Sequence, residues 1–245
     1  MNIRLGLILA GLVALAMPGS VTGIEAWADT GSRSQAMAPL RSLPAQSRLV
    51  YDVLAGKDGL KLGQAVYTWR VSGERYRLES VAEAQGVASL FMSGRIVQTS
   101  EGRIGSQGLI PELYAQTKRE KPKGTARFDW DNRRLVMSRG TEALAKGTQD
   151  LLSFPFHLAL TVAEDAGAWQ MPVTNGRYLK HYRFKVTGWE RLQVGKRGVD
   201  TLHVRGSRSE DENLDVWLAP SREWLPLRIR TEDEKGLPIE MKLAS

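Results

Sequence analysis

Tyr178-Leu179-Lys180-His181-Tyr182-Arg183-Phe184-Lys185-Val186 is the stretch whose reading decides the fold. Tyr178, Tyr182, Phe184 and Val186 share one parity, and His181, Arg183 and Lys185 hold the other. Successive side chains of a strand point to opposite faces, so a period of two describes a strand with one dry and one wet face. The pattern extends outward in both directions. Towards the C-terminus, Leu202 and Val204 alternate with Thr201, His203 and Arg205; Leu225, Leu227 and Ile229 with Pro226, Arg228 and Arg230; Ile239 and Met241 with Glu240 and Lys242. Towards the N-terminus, Tyr67, Trp69 and Val71 alternate with Thr68 and Arg70. The phase then reverses across the turn signal Ser72-Gly73, with Tyr76 and Leu78 set against Arg75, Arg77 and Glu79. Gly188, Gly195, Gly198 and the acidic cluster Ser209 to Asn213 punctuate the later runs. Half-buried strands separated by such turns predict a mostly β chain, built as a curved antiparallel sheet or a partly open β-barrel.

One segment departs from period two. In Asp150 to Ala166, Leu151, Phe154, Leu158 and Val162 fall near helical spacing, which predicts a helix over about residues 151–165 packed on the apolar face of the sheet. Pro155 is tolerated only in a first turn, which makes Ser153 the expected cap, with Gly167 beyond the far end. A curved sheet around a helix leaves a crevice at its open edge.

The first 28 residues read as a cleavable signal peptide: Arg4, an apolar run from Leu5 to Met17, then Ala26-Trp27-Ala28. Cleavage nearer Gly19 to Gly23, or retention as an anchor, is the alternative. The run is shorter than the roughly 17 to 25 residues a spanning helix needs. Residues 29–47, rich in Gly, Ser, Ala, Gln and Pro, read as a flexible leader, and residues 48–245 as one mostly antiparallel β domain. With no cysteine, the chain is neither a lipoprotein nor disulfide-stapled. These features place it in the periplasm. A net charge of +7 attracts polyanions. In that compartment the polyanions are lipid headgroups, lipopolysaccharide phosphates and acidic glycans rather than nucleic acid.

Chemical signatures are sparse. His157, His181 and His203 lack the spacing of a zinc site, although His181 and His203 stand on strands where they can be neighbours. Gly102-Arg103-Ile104-Gly105-Ser106-Gln107-Gly108 lacks the Lys and Ser/Thr of a phosphate loop and reads as a hairpin turn. No Gly-x-Ser-x-Gly elbow occurs. No catalytic residue, metal or cofactor is therefore assigned, and the chain leans away from being an enzyme. Asp129, Asp131, Asp150 and Asp215 keep open a hydrolase built on paired carboxylates. Lys118-Arg119-Glu120-Lys121-Pro122-Lys123 is the densest basic stretch: Lys118, Arg119, Lys121 and Lys123 are candidates for phosphate or acidic sugar, and a solvated loop is the plain reading. Trp217, on the face opposite Val216 and Leu218, and Trp130, before Asp131-Asn132, are candidates for stacking on a ligand. Ordinary packing is the plain reading there too.

Several short motifs, in order, resemble a known family. They are Val50-Tyr51-Asp52, Gly59-Leu60-Lys61-Leu62-Gly63, Gly108-Leu109-Ile110-Pro111 with Tyr114, Phe128-Asp129-Trp130, Asp150-Leu151-Leu152-Ser153, Asp215-Val216-Trp217-Leu218 and Leu225-Pro226-Leu227-Arg228. From about Arg48 to Leu243 the chain resembles the exported bacterial family called domain of unknown function 3108, departing from it at Phe154-Pro155-Phe156. The resemblance implies an exported, largely β domain and brings no catalytic residues.

The leading expectation is a non-enzymatic envelope protein binding an amphipathic, anionic or glycan ligand on its curved sheet, with peripheral membrane contact. The alternatives are a structural or assembly partner of another envelope protein, joined through a sheet edge, and a polysaccharide hydrolase.

Overall fold

The alternating runs become strands of one sheet. The computed structural model describes residues 40–56, 58–91, 94–209, 212–232 and 238–244; the expected signal peptide and residues 29–39 of the leader lie outside them. Fifteen strands follow in chain order. The first eight are β1 (Gln46–Ala55), β2 (Leu60–Ser72), β3 (Arg75–Ala84), β4 (Ile96–Gly105), β5 (Gly108–Lys118), β6 (Lys121–Asp129), β7 (Arg134–Met137) and β8 (Gly140–Ala143). The rest are β9 (Gln149–Asp150), β10 (Trp169–Thr174), β11 (Leu179–Val194), β12 (Arg197–Ser207), β13 (Asn213–Ala219), β14 (Leu225–Glu232) and β15 (Pro238–Leu243). The spatial order runs β8 back to β1, then β15 back to β9, antiparallel throughout except for β9 on β10.

The edge strands β8 and β9 do not pair, and the two halves of the sheet are bridged beside them instead. In the β10–β11 turn, the carbonyl of Gly176 accepts from the backbone N–H of Thr125 at 3.1 Å and of Ser138 at 3.0 Å. A turn therefore bridges the seam, and the sheet itself stays open there. Gly176 is required there: its φ is +82°, and a Cβ would lie 2.7 Å from the Thr125 nitrogen.

Strand direction gives the barrel two ends. The end reached by the C-terminal residues of β1, β3 and β5 is called the upper end, and it carries the turns β1–β2, β3–β4, β5–β6, β7–β8, β10–β11 and β12–β13. The lower end is plugged. Helix α2 (Phe154–Thr161) lies there against β5 and β14, with Thr161 and His157 beside Gly108. The helix is apolar on every side, as an element enclosed all round must be: Phe154, Pro155, Phe156, Leu158, Ala159 and Leu160 are buried. Phe156 stacks on Trp69 with centroids 5.4 Å apart, and Trp69 stacks on Tyr76 at 5.7 Å. Helix α1 (Ala88–Phe91) is one turn at the upper end.

Two expectations need correcting. The long helix is eight residues, because Pro155 fixes its first turn and Val162 is already extended at ψ 127°. Ser153 stands at the cap position without a capping bond; its hydroxyl instead accepts from the Asp150 N–H at 3.0 Å. Residues 40–47 of the expected leader are packed. Leu40 and Leu43 rest on the core, the Arg41 N–H donates to the Leu160 carbonyl at 3.1 Å, and the Trp69 indole donates to the Pro44 carbonyl at 2.8 Å. The packed chain thus starts by Leu40, ahead of residue 48, because residues 40–45 supply acceptors and apolar cover for the plugged end.

Candidate functional site

The structure sets the candidate residues in three places. Lys118, Arg119, Lys121 and Lys123 form the β5–β6 turn at the upper end. Arg119, Lys121 and Lys123 are exposed and Lys118 is half-buried. Arg119 and Glu120 hold the tight turn in the left-handed region, at φ 52° and 62°. Burial, then the charges of Arg119 and Lys123, pull the Lys118 ammonium below its ordinary range. Among the described residues Lys118, Lys121 and Lys123 have no carboxylate partner.

The seam enlarges this basic turn. Arg177 lies against Gly124, with its Cγ 3.3 Å from where a Cβ would stand, and Arg139 and Arg177 both lie over the ring of Tyr178. Sequence reading missed these two arginines, because nothing in the sequence reports that the β7–β8 and β10–β11 turns meet β6. On the other side the Arg119 N–H donates to the Arg95 carbonyl at 3.0 Å, which joins the turn to the β3–β4 connection. There Val87 and Leu90 are 73% and 79% exposed, and Leu60 in the adjoining β1–β2 turn is 58% exposed. The rim of the upper end is therefore cationic on one arc and apolar on the next.

Trp217 and Trp130 lie elsewhere. Trp130 follows β6 at the lower end, stacked on Phe128 at 6.1 Å and donating to the Pro111 carbonyl at 2.7 Å. Trp217 lies on the outer face of β13, where its register partner His203 stacks on it at 4.1 Å. The Arg228 guanidinium sits 4.3 Å from the Trp217 ring centroid. Its indole donates to Glu190 Oε2 at 2.8 Å. The His203 ring lies between two carboxylates, with Nδ1 2.7 Å from Glu190 Oε1 and Nε2 2.8 Å from Asp215 Oδ1. Arg205 Nε donates to Asp215 Oδ1 at 2.8 Å. Burial pushes the Asp215 carboxyl up, but the bonds and charges of His203 and Arg205 outweigh it and hold the group below the carboxylate range. Both tryptophans are thus engaged in packing, and the six candidates do not converge on one surface.

Residues 50–244 match the family described as Protein of unknown function (DUF3108). The chain belongs to that family. Among solved structures, this DUF3108 chain is similar to the beta-barrel-like protein of domain of unknown function DUF1849 from Brucella abortus, at 15% identity, over 81% of this chain and 95% of that one, with a TM-score of 0.47. No curated protein matches it.

Among the described residues of the DUF3108 chain, the carboxylates and histidines named from sequence stand apart. Asp129 and Asp131 lie at the β6–β7 turn, Asp150 inside the barrel and Asp215 on its outer face, so the four carboxylates named from sequence occupy three separate places. His181 pairs in register with Pro172 and His203 with Gly188, which keeps the two histidines apart along β11. Burial pushes the His157 imidazole down to about 4. Among the described residues no three His, Asp or Glu side chains converge as metal ligands.

Asp150 is a carboxyl buried completely inside the sheet. Its Oδ2 accepts from the Ser100 hydroxyl at 2.6 Å, and its Oδ1 from the N–H groups of Leu152 and Ser153 at 2.9 and 2.8 Å. Complete burial still wins and raises its carboxyl to about 6. A raised carboxyl favours folding in its protonated form, so this contribution is full below about pH 4 and is lost as pH rises through about 6. Asp150→Asn keeps an acceptor for both N–H groups without the charge. It is expected to raise the thermal midpoint at pH 7.5 by several degrees, with the gain vanishing by pH 4. Scanning calorimetry across that range checks this; a lower midpoint for the variant at both pH values would mean that the ionised carboxylate is what the fold needs.

Proposed function

We propose that this chain is an exported, non-enzymatic envelope protein that docks on phosphate-bearing amphipathic lipid through the rim of its upper end. The observation that carries this reading is the junction of a cationic arc, Lys118, Arg119, Lys121 and Lys123 with Arg139 and Arg177, and the exposed Val87 and Leu90. Arginine and lysine supply the bonds that phosphate oxygens accept, and apolar residues beside them suit the boundary between headgroup and acyl chain. Burial first, and then the like charges of Arg119 and Lys123, lower the Lys118 ammonium, and an arriving anion would relieve the second of these.

Sedimentation with phosphatidylglycerol vesicles and with phosphatidylcholine vesicles tests the reading. Binding to the anionic vesicles alone is expected, falling as salt is raised. Each basic residue near an anionic surface contributes about 1 kcal/mol, so replacing Lys118, Arg119, Lys121 and Lys123 together by Gln should weaken binding by about a hundredfold or more. Equal binding to both vesicles, or no loss in the fourfold variant, would remove the proposal. Vesicles containing lipopolysaccharide show whether its phosphates serve in place of the phospholipid headgroup.

A further inference from the structure

The β11–β12 hairpin outruns the rest of the sheet at the lower end. β10 pairs with β11 only as far as Phe184, and β13 takes up β12 only from Leu202, so Gly188 to Thr201 form a two-stranded arm with no strand on either side. One face of the arm is covered, where Leu192, Val194 and Val199 pack on Ala219 and Leu227. The other face is open. The bulge between Val186 and Gly188, with Gly188 at φ +133°, sets Trp189 in register with Leu202. Arg191 and Gln193 follow Trp189 on the same face, with Asp200 and Gly198 across from them. Trp189 is 50% exposed, the side chains of Arg191 and Asp200 are 63% and 66% exposed, and Gln193 is exposed.

The half-exposed Trp189 ring is held in place. It leans on Trp224, with centroids 6.5 Å apart and planes at 52°. Trp224 is itself fixed, since the Arg41 guanidinium lies 3.6 Å from its ring centroid and its N–H donates to the Ala219 carbonyl at 2.9 Å. Glu223 and Trp224 stand at φ 56° and 60°, a conformation that bulky residues avoid. Strain of this kind is kept where it fixes a side chain ahead of a ligand. Beyond Trp189 the face is flat. A Cβ on Gly198 would stand 2.4 Å from Arg191 Nε, so the missing side chain lets Arg191 lie down across the neighbouring strand, where it donates to Asp200 Oδ1 at 2.8 Å. Arg191 and Asp200 cancel in charge and together offer donors and acceptors, as the Gln193 carboxamide does alone. From Trp189 to Gln193 the strip measures about 13 Å along the strand.

We propose that this open face of the arm binds an uncharged oligosaccharide in extended, β-1,4-linked form. One pyranose ring lays its C–H face on Trp189, and the hydroxyl groups of the next rings bond to Arg191, Asp200 and Gln193. A cancelled ion pair gives an anion no net attraction, and an acyl chain would cover these donors and acceptors without bonding them. A straight ribbon of sugars meets both the ring and the polar groups beyond it. The site shares no residue with the cationic rim and stands or falls apart from the rim's contact with phosphate.

Titration calorimetry of the full chain with chitotetraose, and with maltotetraose as the curled counterpart, tests it. Saturable binding of chitotetraose is expected, with maltotetraose at least about tenfold weaker. Trp189→Ala should weaken chitotetraose binding about tenfold or more. Gly198→Ala, which lifts Arg191 off the strand and leaves the covered face of the arm intact, should weaken it about threefold or more with Trp189 in place. The fourfold rim variant should bind within about twofold of the original chain, whatever it does on vesicles. Absence of saturable binding, equal affinity for the two tetrasaccharides, or undiminished binding by Trp189→Ala would each overturn the proposal.

Discussion

Phe156→Ala is expected to lower the thermal midpoint by roughly 10 °C. The ring is fully buried in α2, lying flat on Trp69 at 5.4 Å and parallel to Tyr67 at 6.5 Å, and Trp69 in turn carries Tyr76. Alanine would leave a cavity bounded by rings that have no room to collapse, and truncations of this kind cost about 3–5 kcal/mol. For a domain of this size each kcal/mol shifts the midpoint by about 2–4 °C. Differential scanning calorimetry reads the effect. A shift below about 3 °C would show that the helix contributes little to holding the barrel closed.

The second large effect is expected on the outer face, at Asp215. Asp215→Ala removes the acceptor of both His203 Nε2 and Arg205 Nε from a place where His203 and Trp217 are themselves buried. Breaking a buried, bonded pair from one side costs about 3–5 kcal/mol, because the partner is left desolvated. The carboxyl is held below the ordinary range, so its contribution is present above about pH 4, the unfolded value, and is lost as pH falls through the depressed folded value. The midpoints of the two proteins should therefore lie far apart at pH 7 and draw together in strong acid. A gap independent of pH would assign the loss to packing alone.

What could be read beforehand followed from whether one face of a strand is apolar. Leu202 and Val204 on β12, or Leu225 to Ile229 on β14, announce themselves by parity. On β4 the inward residues are Ile96, Gln98, Ser100 and Gly102, so a polar interior erases the alternation. On β13, Trp217 is buried beside Val216 and Leu218 because the outer face is also covered there. Parity could place Trp217 opposite those neighbours but could not supply His203 and Arg228 as its stacking partners. The basic turn was legible as a local run of charge. Its extension through Arg139 and Arg177 was not, because the seam that joins them pairs residues by hydrogen bonds from a turn, which leave no periodic trace.

The spatial order of the strands also separates the covalent path from the architecture. The first and last strands, β1 and β15, pair in the middle of the sheet, with Tyr51 opposite Leu243, while β8 and β9, consecutive in the chain, stand at its two edges. The first half is thus a meander and so is the second from β10 onward, with β9 added in parallel across α2, and the ladder uniting the halves pairs strands far apart in the chain. Joining the two ends at that central ladder and cutting between Leu144 and Thr148 would yield a circular permutant whose strands follow one another from edge to edge. Such a chain has its open ends where the sheet has its edges, and should fold without the long-range step that the natural order imposes.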